Sequence, residues 1–164
     1  MQYDLQARWK HTGAGEWNSM GNVTNILVID GQGGGLGKQL VSALKGLDNI
    51  RITAVGTNSA ATAAMRKAGA DQTATGENSV LVTCRDADII LGAVGIVLAD
   101  SFLGEITPAM ALAVGRSKAE KVLIPMNRCG TIIAGCTGRT TAQCVEDAVA
   151  QVKLLTGSQG GSQK

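Results

Sequence analysis

The clearest chemical potential in this sequence lies in one short run, Asp30-Gly31-Gln32-Gly33-Gly34-Gly35-Leu36-Gly37. Glycines leave backbone amides unshielded, and free amides at the start of a helix attract anions such as phosphate, with the helix dipole adding to the pull. The spacing assigns separate tasks. Gly31 takes the positive-φ turn off a strand, Gly35 lets the backbone approach a pyrophosphate, and Gly37 allows a helix to pack closely on that strand. Lys38, in the first helical turn, opposes the dipole unless a bound anion compensates it. Asp30 has two readings: a carboxylate that repels a pyrophosphate, or one that accepts the loop's own amides as an Asx-turn does.

Other candidates follow from where an open α/β sheet binds ligands, at the carboxyl ends of its strands. That rule nominates Gly92, Ala93, Val94 and Gly95, and also Met126, Asn127, Arg128 and Cys129 after a strand ending at Pro125. Arg128 fits an acidic ligand group and Asn127 a polar edge, although a plain polar loop explains both. Thr57, Asn58 and Ser59 follow the second strand, where a dinucleotide's ribose expects an acid and none stands. They hold ribose or phosphate, or they only cap the next helix. Cys129 is a nucleophile candidate whose activation would depend on Arg128 or a helix end. Asp100 and Glu105 suit acid/base work, or equally a turn and a helix start. Met110, Leu112 and Val114 form an apolar helix face that serves as core or as a dimer seam.

A glycine run counts only between a buried strand and an amphipathic helix, and the chain supplies both. Asn25–Asp30 is apolar and β-branched, as a strand covered on both faces is. Leu36–Leu47 places Leu36, Leu40, Val41 and Leu44 on one helical face. Strands follow at Arg51–Val55, Asp71–Thr75, Ile89–Val94 and Lys121–Pro125, with a further one at Thr131–Ala134. Helices are expected at Ser59–Ala68 closing on Gly69, from an Asn78 cap to Arg85, from the Thr107-Pro108 start to Arg116, and at Thr141–Leu155. This alternation implies βαβ units with right-handed crossovers.

Composition narrows the function classes. The chain has 164 residues and a net charge of +2, enough for one stable core and too little charge for a nucleic-acid groove. Cys84, Cys129, Cys136 and Cys144 form no Cys-x-x-Cys pair, so neither a disulfide framework nor a metal site is indicated. The apolar run Ile89–Ala99 is broken by Gly92 and Gly95 and falls short of the roughly 20 residues of a membrane span. A soluble cytoplasmic protein is expected. Tyr3, Trp9, Trp17 and His11 all precede Met20, and only Phe102 is aromatic after it. That break marks residues 1–22 as a leader apart from the domain: either a flexible tail or sequence upstream of a true start at Met20. Gly34-Gly35-Leu36-Gly37-Lys38 fails as an NTPase phosphate loop, since Gln39 stands where a magnesium-binding Ser or Thr is needed.

The Gly-x-x-x-Gly-x-Gly spacing of the loop resembles the turn of short-chain dehydrogenase/reductases, as do Val55–Ser59 and Asp88–Gly95. That resemblance implies NAD or NADP as cofactor. The catalytic Tyr-x-x-x-Lys of those enzymes is absent, which removes ordinary reductase activity. Asn25 to about Leu155 also resembles a bacterial domain-of-unknown-function family, DUF3842, through Asp30–Gly37, Gly104-Glu-Ile-Thr-Pro108 and Ile124-Pro-Met-Asn-Arg-Cys129. That likeness implies no activity. The combined expectation is a single-domain α/β protein, Rossmann-like, three-layered and doubly wound around a mostly parallel sheet, over residues 23–156, with a flexible tail at 157–164. It would bind a dinucleotide or other nucleotide as a sensor or regulatory subunit and form a homodimer, with no nucleic-acid or membrane partner. The alternatives are a small enzyme using Cys129, Arg128 or carboxylates, and a partner-binding protein with an empty loop.

Overall fold

The computed structural model describes residues 23–126, 131–136 and 138–157. Its core begins with β1 (Thr24–Asp30), in which Ile26, Leu27, Val28 and Ile29 are all buried. A strand apolar on both faces must be covered on both, and each such side chain stabilises the fold by about 1.5–3 kcal/mol. β1 pairs in parallel with β2 (Ile50–Gly56) on one side and β4 (Ile89–Ala93) on the other. β3 (Gln72–Thr75) adds to β2 and β5 (Glu120–Ile124) to β4, giving the order β3-β2-β1-β4-β5. The order reverses between β1 and β4, as in a doubly wound sheet.

Helix α1 (Gly35–Leu44) packs against α2 (Ser59–Ala68) and α5 (Thr141–Thr156), while α3 (Glu77–Thr83) and α4 (Pro108–Arg116) pack together. Capping explains most boundaries. Asn58 Oδ1 accepts the Ala61 amide at 3.0 Å to start α2, and Gly69 closes it at φ 103°. Thr107 accepts the Met110 amide at 3.2 Å ahead of Pro108. Thr140 and Gln143 make a reciprocal capping box that starts α5.

Several expected boundaries shift. α1 ends at Leu44, where Gly46 interrupts it and the Leu47 amide turns back on the Leu44 carbonyl at 2.9 Å. α3 starts from Gly76 at φ 93° and Asn78 lies inside it, since only glycine takes that turn cheaply. Val94–Val97 is a 3₁₀ turn, so β4 stops at Ala93. Thr131–Ala134 forms no strand. Met110 and Val114 are buried within the chain, which leaves only Leu112 of the suggested seam exposed. Among the described residues no helix is long and apolar enough to cross a membrane.

Candidate functional site

The glycine run sits where its sequence context requires, between the end of β1 and the start of α1, but its conformation differs from expectation. Positive φ falls on Gln32 (50°) and Gly34 (69°) rather than on Gly31. Asp30 is buried and turns inward, accepting the Gly31 amide at 2.9 Å and the Gly37 amide at 2.6 Å. Burial pushes its carboxyl above the ordinary 3.8, the two amides pull it back, and the Glu105 charge raises it again.

Three of the glycines are demanded by internal packing. A Cβ on Gly37 would stand 2.5 Å from Met65 Sδ and 2.7 Å from Asp30 Cβ. On Gly34 it would stand 2.7 Å from the Ala61 Cα, and on Gly31 2.7 Å from a Glu105 oxygen. Gly33 and Gly35 differ, because a Cβ on either meets nothing within 4 Å. Both line an open cavity of about 360 Å³ shared with Asp30, Gly31, Gln32, Leu36, Gln39, Ala93, Phe102, Met126 and Thr141. The cavity therefore lies at the carboxyl ends of β1 and β4, just beyond β5, between the starts of α1 and α5. A second cavity of about 270 Å³, lined by Arg51, Thr53, Gln72 and others, lies at the amino ends of the strands, the wrong edge for a doubly wound sheet's ligand.

The β2 side of the crevice is bonded to the chain that follows β4. The segment after β4 crosses the sheet edge as a strap in which Asp100 (φ 63°), Phe102 (57°) and Leu103 (60°) all adopt left-handed backbone, followed by Gly104 at 89°. Such residues cost about 1–3 kcal/mol each and persist only where their surroundings enforce them. Here the Asp100 amide bonds the Ile106 carbonyl at 2.7 Å, buried Ser101 donates to the Gly95 carbonyl at 2.5 Å, and the Phe102 ring lies where any side chain on Gly95 would have to go. The strap delivers Glu105, whose Oε2 accepts the Gln32 amide at 2.8 Å, the Asn58 side-chain amide at 3.1 Å and the Thr57 hydroxyl. Desolvation would raise the Glu105 carboxyl, but these three donors outweigh it and hold it below the ordinary 4.5.

The expected site residues thus divide. Asp30, Gly31, Gln32, Gly33, Gly35, Leu36 and Ala93 converge on the open cavity. Gly34 and Gly37 support the loop from within. Thr57 and Asn58 are tied to Glu105, and Ser59 is the first residue of α2. Gly92 packs against the Ile29 carbonyl, Gly95 against Phe102, and Val94 opens the 3₁₀ turn, so none of these three lines the cavity. Asn127, Arg128 and Cys129 lie outside the described residues, although Met126, which leads into them, is in the cavity wall. Of the described cysteines, Cys84 is buried with its thiol pushed up to about 11 by desolvation, unsuited to attack. Gln39, Phe102 and Thr141 were not legible as cavity residues, because what joins them is tertiary: the sheet reversal and the return of α5 onto α1.

Fold and loop define a doubly wound α/β domain with its glycine turn at the sheet's switch point. The chain belongs to the family described as a domain of unknown function, DUF3842, whose model matches residues 25–156. No curated protein matches it. Among solved structures it is similar to a dodecameric FMN-dependent UbiX-like decarboxylase from Escherichia coli O157:H7, with 16% identity, a TM-score of 0.43, and coverage of 87% of this chain and 98% of that one. That neighbour is described as dependent on FMN, not on a nicotinamide dinucleotide. The expectation of NAD or NADP is corrected accordingly. At the end of β2, beside which a dinucleotide places one ribose, Glu105 is bonded to Thr57 and Asn58.

Proposed function

We propose that the domain binds a phosphate-bearing ligand of mononucleotide size in the open cavity over β1 and β4, and acts as a sensor or regulatory module. The observation that carries this reading is the contrast within the loop: Gly33 and Gly35 face the cavity with nothing against them, while their neighbours are explained by packing. Bare backbone at a helix start is where a ligand's phosphate approaches. The first turn of α5 borders the same cavity at Thr141, so two helix N-termini contribute. About 360 Å³ falls at the small end of ligand cavities, room for one nucleotide.

A binding role rather than turnover is supported by the side chains at hand. Neither histidine nor tyrosine occurs from Val23 to Gly157, which removes the commonest proton carrier and the phenol of the dehydrogenase motif. Asp30 and Glu105, the two nearest carboxylates, are committed to the loop's amides.

Calorimetric melting with AMP, GMP, CMP and FMN tests the reading. A ligand at about 100 times its Kd adds roughly 2.7 kcal/mol and raises the midpoint by several degrees. A shift with one mononucleotide is the expected result; no shift with any of them would overturn the proposal.

A further inference from the structure

Resting on the reading that the open cavity takes a nucleotide, we infer that Glu105 sets the length of ligand the domain accepts. By closing the crevice over β2, it admits a single nucleotide above β1 and β4 and rejects one extended by a second. Glu105 is tethered to two separate segments at once, the glycine loop through the Gln32 amide and the β2–α2 junction through Thr57 and Asn58. All three bonds converge on Oε2, so the carboxylate is wedged between the segments rather than resting on one of them. The fit is tight: a Cβ on Gly31 would meet Glu105 Oε2 at 2.7 Å, Thr57 Oγ1 at 2.9 Å and Phe102 Cδ2 at 3.1 Å.

The backbone supports the same assignment. Left-handed Phe102 and Leu103 put the phenyl ring down against Gly95 and the cavity wall and leave Leu103 97% exposed. This strained loop places Phe102 as the partition between the two halves of the crevice and Glu105 as its anchor beyond. A phosphate at Gly33 and Gly35 has room on the β4 side, and any continuation past Gln32 toward β2 meets a carboxylate that both fills the space and repels a second phosphate.

The experiment compares AMP with diadenosine diphosphate and FMN with FAD, by titration calorimetry on the full chain. The wild-type protein is expected to bind a mononucleotide at least about tenfold more tightly than its two-nucleotide extension. Glu105→Ala should bring the pair to within about threefold, chiefly by improving the longer ligand. Glu105→Gln keeps the bulk and an oxygen acceptor, and should keep most of the exclusion. If Glu105→Ala does not fold, Thr57→Val, which removes one tether, should show a partial gain for the longer ligand. Equal binding of short and long ligands by the wild type, or exclusion unchanged in Glu105→Ala or its substitute, would overturn the role of Glu105 while leaving the cavity's reading intact. No binding of any mononucleotide would bring down that reading and this inference together.

Discussion

The inner and outer faces of the Gly31–Gly37 turn are built from the same residue type and obey opposite constraints. On the inner face, Gly34 and Gly37 are glycine because Ala61, Met65 and Asp30 leave no room for a Cβ. On the outer face, Gly33 and Gly35 have open space in front of them. A glycine-rich turn is therefore two devices superposed, one that lets a helix settle on a strand and one that presents bare amides, and only the second concerns a ligand.

Substitution separates the two faces. The largest effect is expected at Gly34→Ala, which combines left-handed strain of about 1–2 kcal/mol with a clash against the Ala61 backbone that cannot swing away. Thermal or denaturant unfolding should register a loss of about 3 kcal/mol or more; a loss under about 1 kcal/mol would show that the loop relaxes freely.

Asp30→Asn comes next, because an amide can accept from Gly31 or Gly37 with its one oxygen but faces the other with a donor. Leaving a buried amide unsatisfied costs about 1–3 kcal/mol. Its pH dependence carries a sign. The folded carboxyl is raised above 3.8, so the folded state holds its proton longer than the unfolded chain, and this group's contribution falls as pH rises from 3.8 through the folded value. Glu105 acts oppositely: its stabilisation is present above 4.5 and is lost as pH falls through its lowered value. Melting curves against pH should show the Asp30 slope vanish in Asp30→Asn; an unchanged profile would contradict the inward-facing geometry.

The smallest effect on stability belongs to Gly35→Ala, expected within about 0.5 kcal/mol of the wild type or slightly above it, since alanine favours a helix start over glycine. The same substitution should weaken mononucleotide binding by placing a methyl group in the cavity. A Gly35→Ala protein as unstable as Gly34→Ala would erase the distinction between the faces.

What could be read from the residues follows this division. β1, α1 and the switch-point turn were legible because local periodicity and glycine spacing specify them, and Asn58, Thr107 and Gly69 announced their helix ends through capping chemistry. The strap was not. Phe102 and Leu103 carry no signature of left-handed backbone, which is imposed by Ser101 bonding Gly95 and by the ring resting over that glycine. Thr57, Asn58 and Ser59 leave the end of β2 without an acid of its own, and the fold brings Glu105 there, 48 residues beyond Thr57, through a contact that no short-range pattern encodes.

Phe102 has one more consequence. It is the only aromatic residue after Trp17, and its ring forms part of the cavity wall. Its ring protons are therefore the only aromatic carbon-bound protons of the domain, distinct once the N–H protons are exchanged for deuterium, and they sit beside any occupant of the cavity. The domain carries its own reporter: ring-current shifts at Phe102 would register a stacked base directly, against a background free of tryptophan and tyrosine once residues 1–19 are removed.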